Sequence, residues 1–291
     1  MNKKICAIVV TYNREKLMKK CIGKLIENSD DLDKIIVVNN ASTDGTKEFL
    51  NKIDNSKLHI INLEKNLGGA GGFTKGIEYA YNHGFDYFWI MDDDTMVNES
   101  TLKYLLDGFR NGDKVGFVCS NVLFTDKSQC VMNIPKISKR WGEQLIKNLL
   151  KVESASFVSI LICREVVEKL GLPIREFFIW GDDLEYTQRI TSEYNGYMNI
   201  KSTVIHEMNS NIGIDIVSDN SDRINRYYYE YRNKMFIYKR NKKIAKYIGY
   251  VLKTIIKIII LNNENKIKKI KIVSSGVKDG LFFNPTIKFA K

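Results

Sequence analysis

Residues 88–95 read FWIMDDDT. An apolar run of strand type, 87–91, ends in three adjacent carboxylates, Asp92, Asp93 and Asp94. Adjacent carboxylates repel one another, and a divalent cation is the usual compensation because hard cations take oxygen ligands. Alternate side chains of an extended segment share a face. Asp92 and Asp94 can therefore converge on one ion while Asp93 points elsewhere. A solvated acidic turn is the plain alternative. The strand before the triplet argues against it, because it delivers the acids to a strand's carboxyl end, where open α/β sheets bind ligands.

Residues 66–76, NLGGAGGFTKG, open a helix after the third strand. They do not make a dinucleotide fingerprint: after Gly69 and Gly71 the third position of G-x-G-x-x-G is Thr74, and no G-K-[ST] is present. What remains is bare backbone beside a helix start, able to approach a ligand and to offer N–H groups to an anion. A flexible loop is the alternative. Residues 176–190, EFFIWGDDLEYTQRI, put Asp182 and Asp183 after Gly181 at the start of a helical pattern. The helix dipole alone favours acids there, but a carboxylate on a rigid helix start is also where a catalytic base belongs. His206 closes a strand-like run, 197–205. A lone histidine is usually structural; the metal demanded by the triplet makes this one a candidate third ligand. Residues 223–233, RINRYYYEYRN, form a helix dense in aromatics and arginine. It suits ordinary packing or a groove for sugar and phosphate, since guanidinium pairs with phosphate in fork geometry.

The elements that must position these residues alternate. Strands are expected at 4–11, 34–38, 57–63 and 85–91. A helix between the first two carries Leu17, Met18, Cys21, Ile22, Leu25 and Ile26 at helical spacing. Ser42 or Thr43 can cap a helix beginning near Asp44. This alternation indicates an α/β chain with a mostly parallel sheet and right-handed crossovers. Beyond it, 115–120 and 155–163 read as strands and 164–170 as a short helix; the stretch between the two strands is uninformative.

Composition sets the limits. The 291 residues are 44% hydrophobic and can bury a full core. Five cysteines, an odd number without a C-x-x-C pair, argue for a reducing compartment and against a disulfide framework or zinc knuckle. The opening apolar stretch is shorter than a signal sequence needs and lacks a cleavage site, so it reads as the first strand. The net charge of +11 is concentrated: residues 239–291 hold 14 Lys+Arg and 2 Asp+Glu, a net of +12, and the rest holds 31 and 32, a net of −1. The basic tail implies an anionic surface as partner. Within it, Ile244, Ile248, Val251, Leu252, Ile255, Ile256 and Ile259 recur on one helical face, with Lys246, Lys253 and Lys257 opposite. A spanning helix needs ~20 apolar residues, and the lysines break this one. It reads as an interfacial amphipathic helix, with packing on the body as the rival reading.

Taken together, the chain resembles inverting nucleotide-sugar glycosyltransferases of GT-A fold, the family 2 type, over about residues 4–210. The matching motifs are VVTYNR at 9–14, VVNNASTDGT at 37–46, NLGGAGGFTKG at 66–76, MDDDT at 91–95 and WGDDLEY at 180–186, with His206 beyond. NLGGAGGF and the tryptophan before the second acid pair are most similar to bacterial galactofuranosyltransferases, with rhamnosyltransferases as close relatives.

The resemblance implies a Rossmann-like sheet flanked by helices; with the charge boundary it divides the chain into a catalytic domain over 1–238 and the basic helical segment 239–291. It implies that Asp92, Asp94 and His206 hold Mn²⁺ or Mg²⁺. Asp183 would be the catalytic base, with Asp182 its neighbour and alternate, because Gly181 leaves the alignment one residue soft. Thr11, Tyr12, Arg14, Asn40, Gly69, Gly71, Gly72, Phe73, Asp92, Asp93 and Trp180 would border the nucleotide and sugar. Asn40 stands where many relatives carry an aspartate that meets the base. An asparagine can both donate to and accept from a uracil or thymine edge. The expected donor is UDP-galactofuranose, then dTDP-rhamnose. The expected acceptor is a lipid-linked glycan of cell-surface polysaccharide synthesis, met at the inner face of the cell membrane by a cytoplasmic, peripherally bound protein with no nucleic-acid partner. The rival classes are a sugar-phosphate nucleotidyltransferase, a dinucleotide-dependent oxidoreductase and a non-catalytic membrane-bound module.

Overall fold

A computed structural model describes residues 3–28, 30–213, 215–261 and 264–290. Strands β1 (Ile5–Thr11), β2 (Lys34–Asn39), β3 (Leu58–Asn62) and β4 (Tyr87–Asp92) are mutually parallel and alternate with α1 (Glu15–Glu27), α2 (Thr46–Leu50) and α3 (Gly68–Asn82). The chain continues through β5 (Thr95–Met96), α4 (Thr101–Asn111), β6 (Val115–Leu123), β7 (Lys136–Ile137), β8 (Leu149–Ser154), β9 (Ile160–Cys163), α5 (Arg164–Leu170), α6 (Asp182–Thr191) and β10 (Asn195–His206). The strand order is β3-β2-β1-β4-β9-β6-β10-β8-β7, and β5 pairs with the end of β10. β9 lies antiparallel between β4 and β6, while β10 runs parallel to β6.

Register explains why the chemistry gathers at one edge. Thr11 stands opposite Asn39, and Val10 opposite Asp92. The carboxyl ends of β1, β2 and β4 are therefore level, and β5 brings Thr95 against His206. Strands covered on both faces read as continuous apolar runs, and β1 is buried at every position. One face packs under α3 through Ile8, Val10, Val38 and Ile77. The other packs under α1 and α4 through Val9, Met18, Leu25, Val37 and Leu105.

Two local expectations change, at the cap of α2 and in 155–163, whereas the glycine-rich stretch opens a helix as expected and forms the first half of α3. A Cβ on Gly72 would lie 2.5 Å from Val10 Cγ1, and one on Gly76 2.3 Å from Ile8 Cγ2; the missing side chains let α3 lie close on β1. Neither Ser42 nor Thr43 caps α2. The Asp44 carboxylate accepts from Thr46 N–H (3.0 Å), while Ser42 Oγ accepts from Asn13 N–H. Of 155–163 only Ile160–Cys163 is strand.

Helices α7 (Tyr227–Arg240), α8 (Ile244–Ile260) and α9 (Lys266–Phe282) share a smaller core of Tyr227, Tyr231, Met235, Tyr247, Val251, Ile258 and Val273. Gly276 and Gly280 allow α9 to cross α7 closely, since a Cβ there would meet Tyr228 O at 2.6 Å and Met235 Cβ at 2.7 Å. The charge boundary at residue 238 falls inside α7. One face of α8 packs on the body, as the rival reading of its sequence expected. Tyr247, Val251, Thr254 and Ile258 face inward. Ile248, Leu252, Ile256 and Ile259 form a neighbouring row, each at least half exposed. Among the described residues no helix is long and apolar enough to cross a membrane.

Candidate active site

β4 carries Asp92 to the sheet edge, and the chain then turns. Ligand atoms of Asp92, Asp94 and His206 lie within 4.8 Å of one another. Asp93 turns away from them and accepts hydrogen bonds from Thr11 Oγ1 (2.7 Å) and from Arg14 (3.1 Å). Arg14 also pairs with Asp94 Oδ2. His206 Nε2 stands 2.9 Å from Asp94 Oδ1. On the other side of the ring, His206 Nδ1 is 2.8 Å from Asn133 Oδ1. Asn133 Nδ2 donates to Ser156 Oγ, and Cys130 Sγ donates to Asn133 Oδ1 at 2.9 Å. With the amide oxygen toward the ring, Nδ1 carries the proton and donates to it.

The residues fit a cation. Protonated, His206 donates Nε2–H to the buried Asp94 Oδ1 at 2.9 Å; neutral, it offers the Nε2 lone pair, and a positive ion between the two would take the proton's place. Burial, then the charge of Asp94, pushes the Asp92 carboxyl up to about 7. Burial likewise works to raise Asp94, but the His206 hydrogen bond and charge outweigh it and hold Asp94 below its usual value. Two carboxylates and an imidazole converging in this way could hold a divalent cation.

Asp182 and Asp183 begin α6 after an unusual turn. Phe178, Trp180 and Gly181 have φ of 66°, 62° and 88°, a region costly for the two aromatics. Buried Asn233 of α7 holds the turn by donating Nδ2 to the carbonyls of Phe177, Ile179 and Trp180 at 2.8–3.2 Å. Arg232 donates to the carbonyls of Glu176 and Phe177. The two acids differ in setting. Asp182 is buried; burial, Asp183 and Asp92 together keep it well above the usual carboxylate range. Asp183 is half-buried and accepts from Leu184 N–H, while burial raises it to about 6. Asp183 borders a cavity of about 290 Å³ shared with Met132, Asn133, Ser154 and Ser156.

Several expected binding residues are employed otherwise. Asn40 is buried; its Nδ2 donates to Gly68 O (2.9 Å) and its Oδ1 accepts from Leu67 N–H (2.8 Å). Its amide anchors the start of α3 and is not free to read a nucleobase. Phe73 lies in the core, edge-on to Phe157 at 5.1 Å, and presents no face to a ligand. A Cβ on Gly71 would meet Leu67 Cβ at 2.5 Å, so Gly71 and Gly72 serve packing. Gly69 is the open one, with its nearest neighbour 4.0 Å away. Trp180 packs on Tyr227 at 5.0 Å. Tyr12 stays exposed at the rim. Sequence reasoning missed Asn133, in a stretch with no motif. Asn233 and Arg226 lie in the 223–233 stretch read as an arginine-rich helix, without being named individually; Arg226 stands within electrostatic reach of Arg14.

A Rossmann-like sheet with an acidic cluster and a second acid pair at its carboxyl edge defines a GT-A glycosyltransferase fold. The sequence profile of glycosyl transferase family 2 matches residues 6–171, and the chain belongs to that family. It is 27% identical over 134 residues to the poly-beta-1,6-N-acetyl-D-glucosamine synthase of Staphylococcus aureus, covering 46% of this chain and 32% of the synthase. It is 25% identical over 198 residues to galactofuranosyltransferase GlfT1 of Mycolicibacterium smegmatis, covering 64% of this chain and 65% of that protein. The chain thus spans a third to two thirds of these relatives. Among solved structures, TarS 1–349 of S. aureus superposes with a TM-score of 0.53 at 17% identity, over 97% of this chain and 72% of that one. The mannosyltransferase PcManGT of Pyrobaculum calidifontis, solved with GDP-Man and Mn²⁺, gives a TM-score of 0.53 at 14% identity, over 98% and 76%.

Proposed function

We propose that this chain is an inverting glycosyltransferase of bacterial surface-polysaccharide synthesis. It would transfer a hexosyl group from a nucleotide-diphosphate sugar to an acceptor hydroxyl. The observation that carries this reading is the convergence of Asp92, Asp94 and His206 at the sheet edge, beside an acid pair whose second member opens into a cavity. Asp92, Asp94 and His206 would hold Mn²⁺ or Mg²⁺, which as a Lewis acid would stabilise the departing nucleoside diphosphate. Asp183 would accept the proton of the acceptor hydroxyl. The oxygen then forms its bond to the anomeric carbon as the bond to the diphosphate oxygen breaks on the opposite face. One displacement inverts the centre without a covalent intermediate. Arg14, partly exposed beside the acids, and Arg226 add positive charge where the diphosphate would lie.

Similarity to a galactofuranosyltransferase supports UDP-galactofuranose as donor, with dTDP-rhamnose the second reading. The room above Gly69, and the exposed ring of Tyr12, leave space at the rim for donor. The exposed row of α8 and the basic segment 239–291 support a lipid-linked acceptor met at an anionic membrane surface. The test is a screen of nucleotide sugars for hydrolysis and thermal shift, with Mn²⁺ and with chelator. The true donor raises the unfolding temperature by mass action and releases a free nucleoside diphosphate only with the metal. Release of pyrophosphate would mark a nucleotidyltransferase instead. Turnover unaffected by chelator and by Asp94→Ala would remove the cation from the mechanism.

A further inference from the structure

We infer that residues 134–147 form a second contact with an anionic bilayer, apart from α8; this rests on the membrane reading of α8 above. β7 lies within the stretch and β8 follows it. Ser138 N–H donates to Lys151 O and Lys151 N–H to Trp141 O, both at 3.1 Å, and Asn148 closes the turn with a φ of 62°. These bonds hold the shoulders while the tip stands in solvent. Ile146 is 94% exposed, Trp141 47% and Leu145 39%, with Ile134 and Ile137 exposed beside them.

Charge decides the partner. Residues 134–147 hold Lys136, Lys139, Arg140 and Lys147 against one acid, Glu143. That acid is already taken by Arg140 and Lys151. A trough of about 410 Å³ is lined by Lys136 and Ser138 of the stretch, by Lys151, and by Lys243 just before α8. Among the described residues Lys243 has no acidic partner. The stretch and the start of α8, with its exposed apolar row, thus meet across one cationic trough. Exposed tryptophan and aliphatic side chains among lysines and arginine compose a membrane-interface element. A second copy of this chain, docked patch to patch, would set like charges against each other. Nucleic acid would answer the cations but not Leu145 and Ile146. An anionic bilayer answers both. Ile134 and Lys136 also border the cavity that Asp183 opens into, so docking through this stretch brings that cavity to the bilayer surface.

The experiment mixes the full chain with phosphatidylglycerol vesicles carrying brominated acyl chains, which quench tryptophan that enters the bilayer. Wild-type fluorescence should fall on binding. Trp89 is buried and Trp180 packs on Tyr227, so Trp141→Phe should lose most of the quenching while still sedimenting with the vesicles. Ile146→Glu, at the exposed tip, should lower vesicle affinity on the order of tenfold, the effect of keeping one apolar side chain from burial; circular dichroism checks the fold. Quenching undiminished in Trp141→Phe, or vesicle affinity unchanged in Ile146→Glu, overturns the inference. If Ile248→Glu with Leu252→Glu still releases the chain in that case, the α8 reading stands and only the second contact falls. A wild-type chain that ignores the vesicles removes both. Self-association without lipid that is lost in Ile146→Glu would give the stretch to a second copy instead, and retention on DNA but not on vesicles would give it to nucleic acid.

Discussion

His206 Nδ1 and Asn133 Oδ1 stand 2.8 Å apart, joining residues 73 positions distant in sequence. The bond turns the other ring nitrogen toward Asp94. Partners of this kind orient metal-binding histidines, and their loss typically costs ~10–100-fold in metal affinity. Asn133→Leu should weaken Mn²⁺ binding by that factor while the fold persists. Calorimetric titration of Mn²⁺ into both proteins checks it; equal affinities would show that the amide does not orient the ring.

Asp183 should act only as the carboxylate. Its carboxyl is raised to about 6 by burial, so it is protonated and idle below that pH and competent above it. Turnover should therefore fall as pH drops through about 6 and level off at higher pH. Asp183→Asn should lower kcat ~10²–10⁴-fold, remove that acidic limb and leave donor affinity nearly unchanged. If Asp182→Asn does more damage than Asp183→Asn, the base is Asp182.

Asn233 should matter far beyond its own helix. Asn233→Leu removes the side-chain donor to the Ile179 and Trp180 carbonyls, each loss costing on the order of 1–3 kcal/mol. Thermal denaturation should show that loss. Turnover of the surviving folded protein should drop with donor affinity retained, because the turn places the acid pair rather than the donor. Unaltered stability and rate would mean that the strained backbone holds itself.

The exposed row of α8 should bind anionic bilayers. Ile248→Glu with Leu252→Glu alters two half-exposed positions, so folding should be spared. Sedimentation with phosphatidylglycerol vesicles should show the wild-type chain bound and the double variant free. Salt should weaken the wild-type interaction, because charge attraction is screened within ~8–10 Å at ordinary ionic strength. A wild-type chain that ignores the vesicles would leave the row without this partner.

How much was readable depended on how locally each feature is encoded. The acid triplet was legible because an apolar strand and its polar end are adjacent in sequence, and so was the start of α6 after Gly181. The parallel half of the sheet followed from alternation alone. Asn40 and Phe73 misled because their types suit ligand contact, while their real partners, Leu67, Gly68 and Phe157, are chosen by packing across elements. The glycines misled for the same reason: a close helix-to-strand approach and a close ligand approach require the same missing side chain. Asn133 was invisible, and Asn233 was not named within its helix, because each acts on a segment more than 50 residues away.

Leu172 N–H donates to Lys288 O at 2.7 Å, and Phe283 packs on Phe177. The segment that presents the acid pair is thus fastened near 172, at 177 and at 180 by residues that follow position 230. During synthesis the sheet and its acid cluster, all within the first 206 residues, can form early, since chains fold in order of emergence. The segment before the acid pair completes its contacts only once residues near 288 have emerged. On the transferase reading, a nascent chain would thus gather its acid cluster before the contacts behind its acid pair are complete.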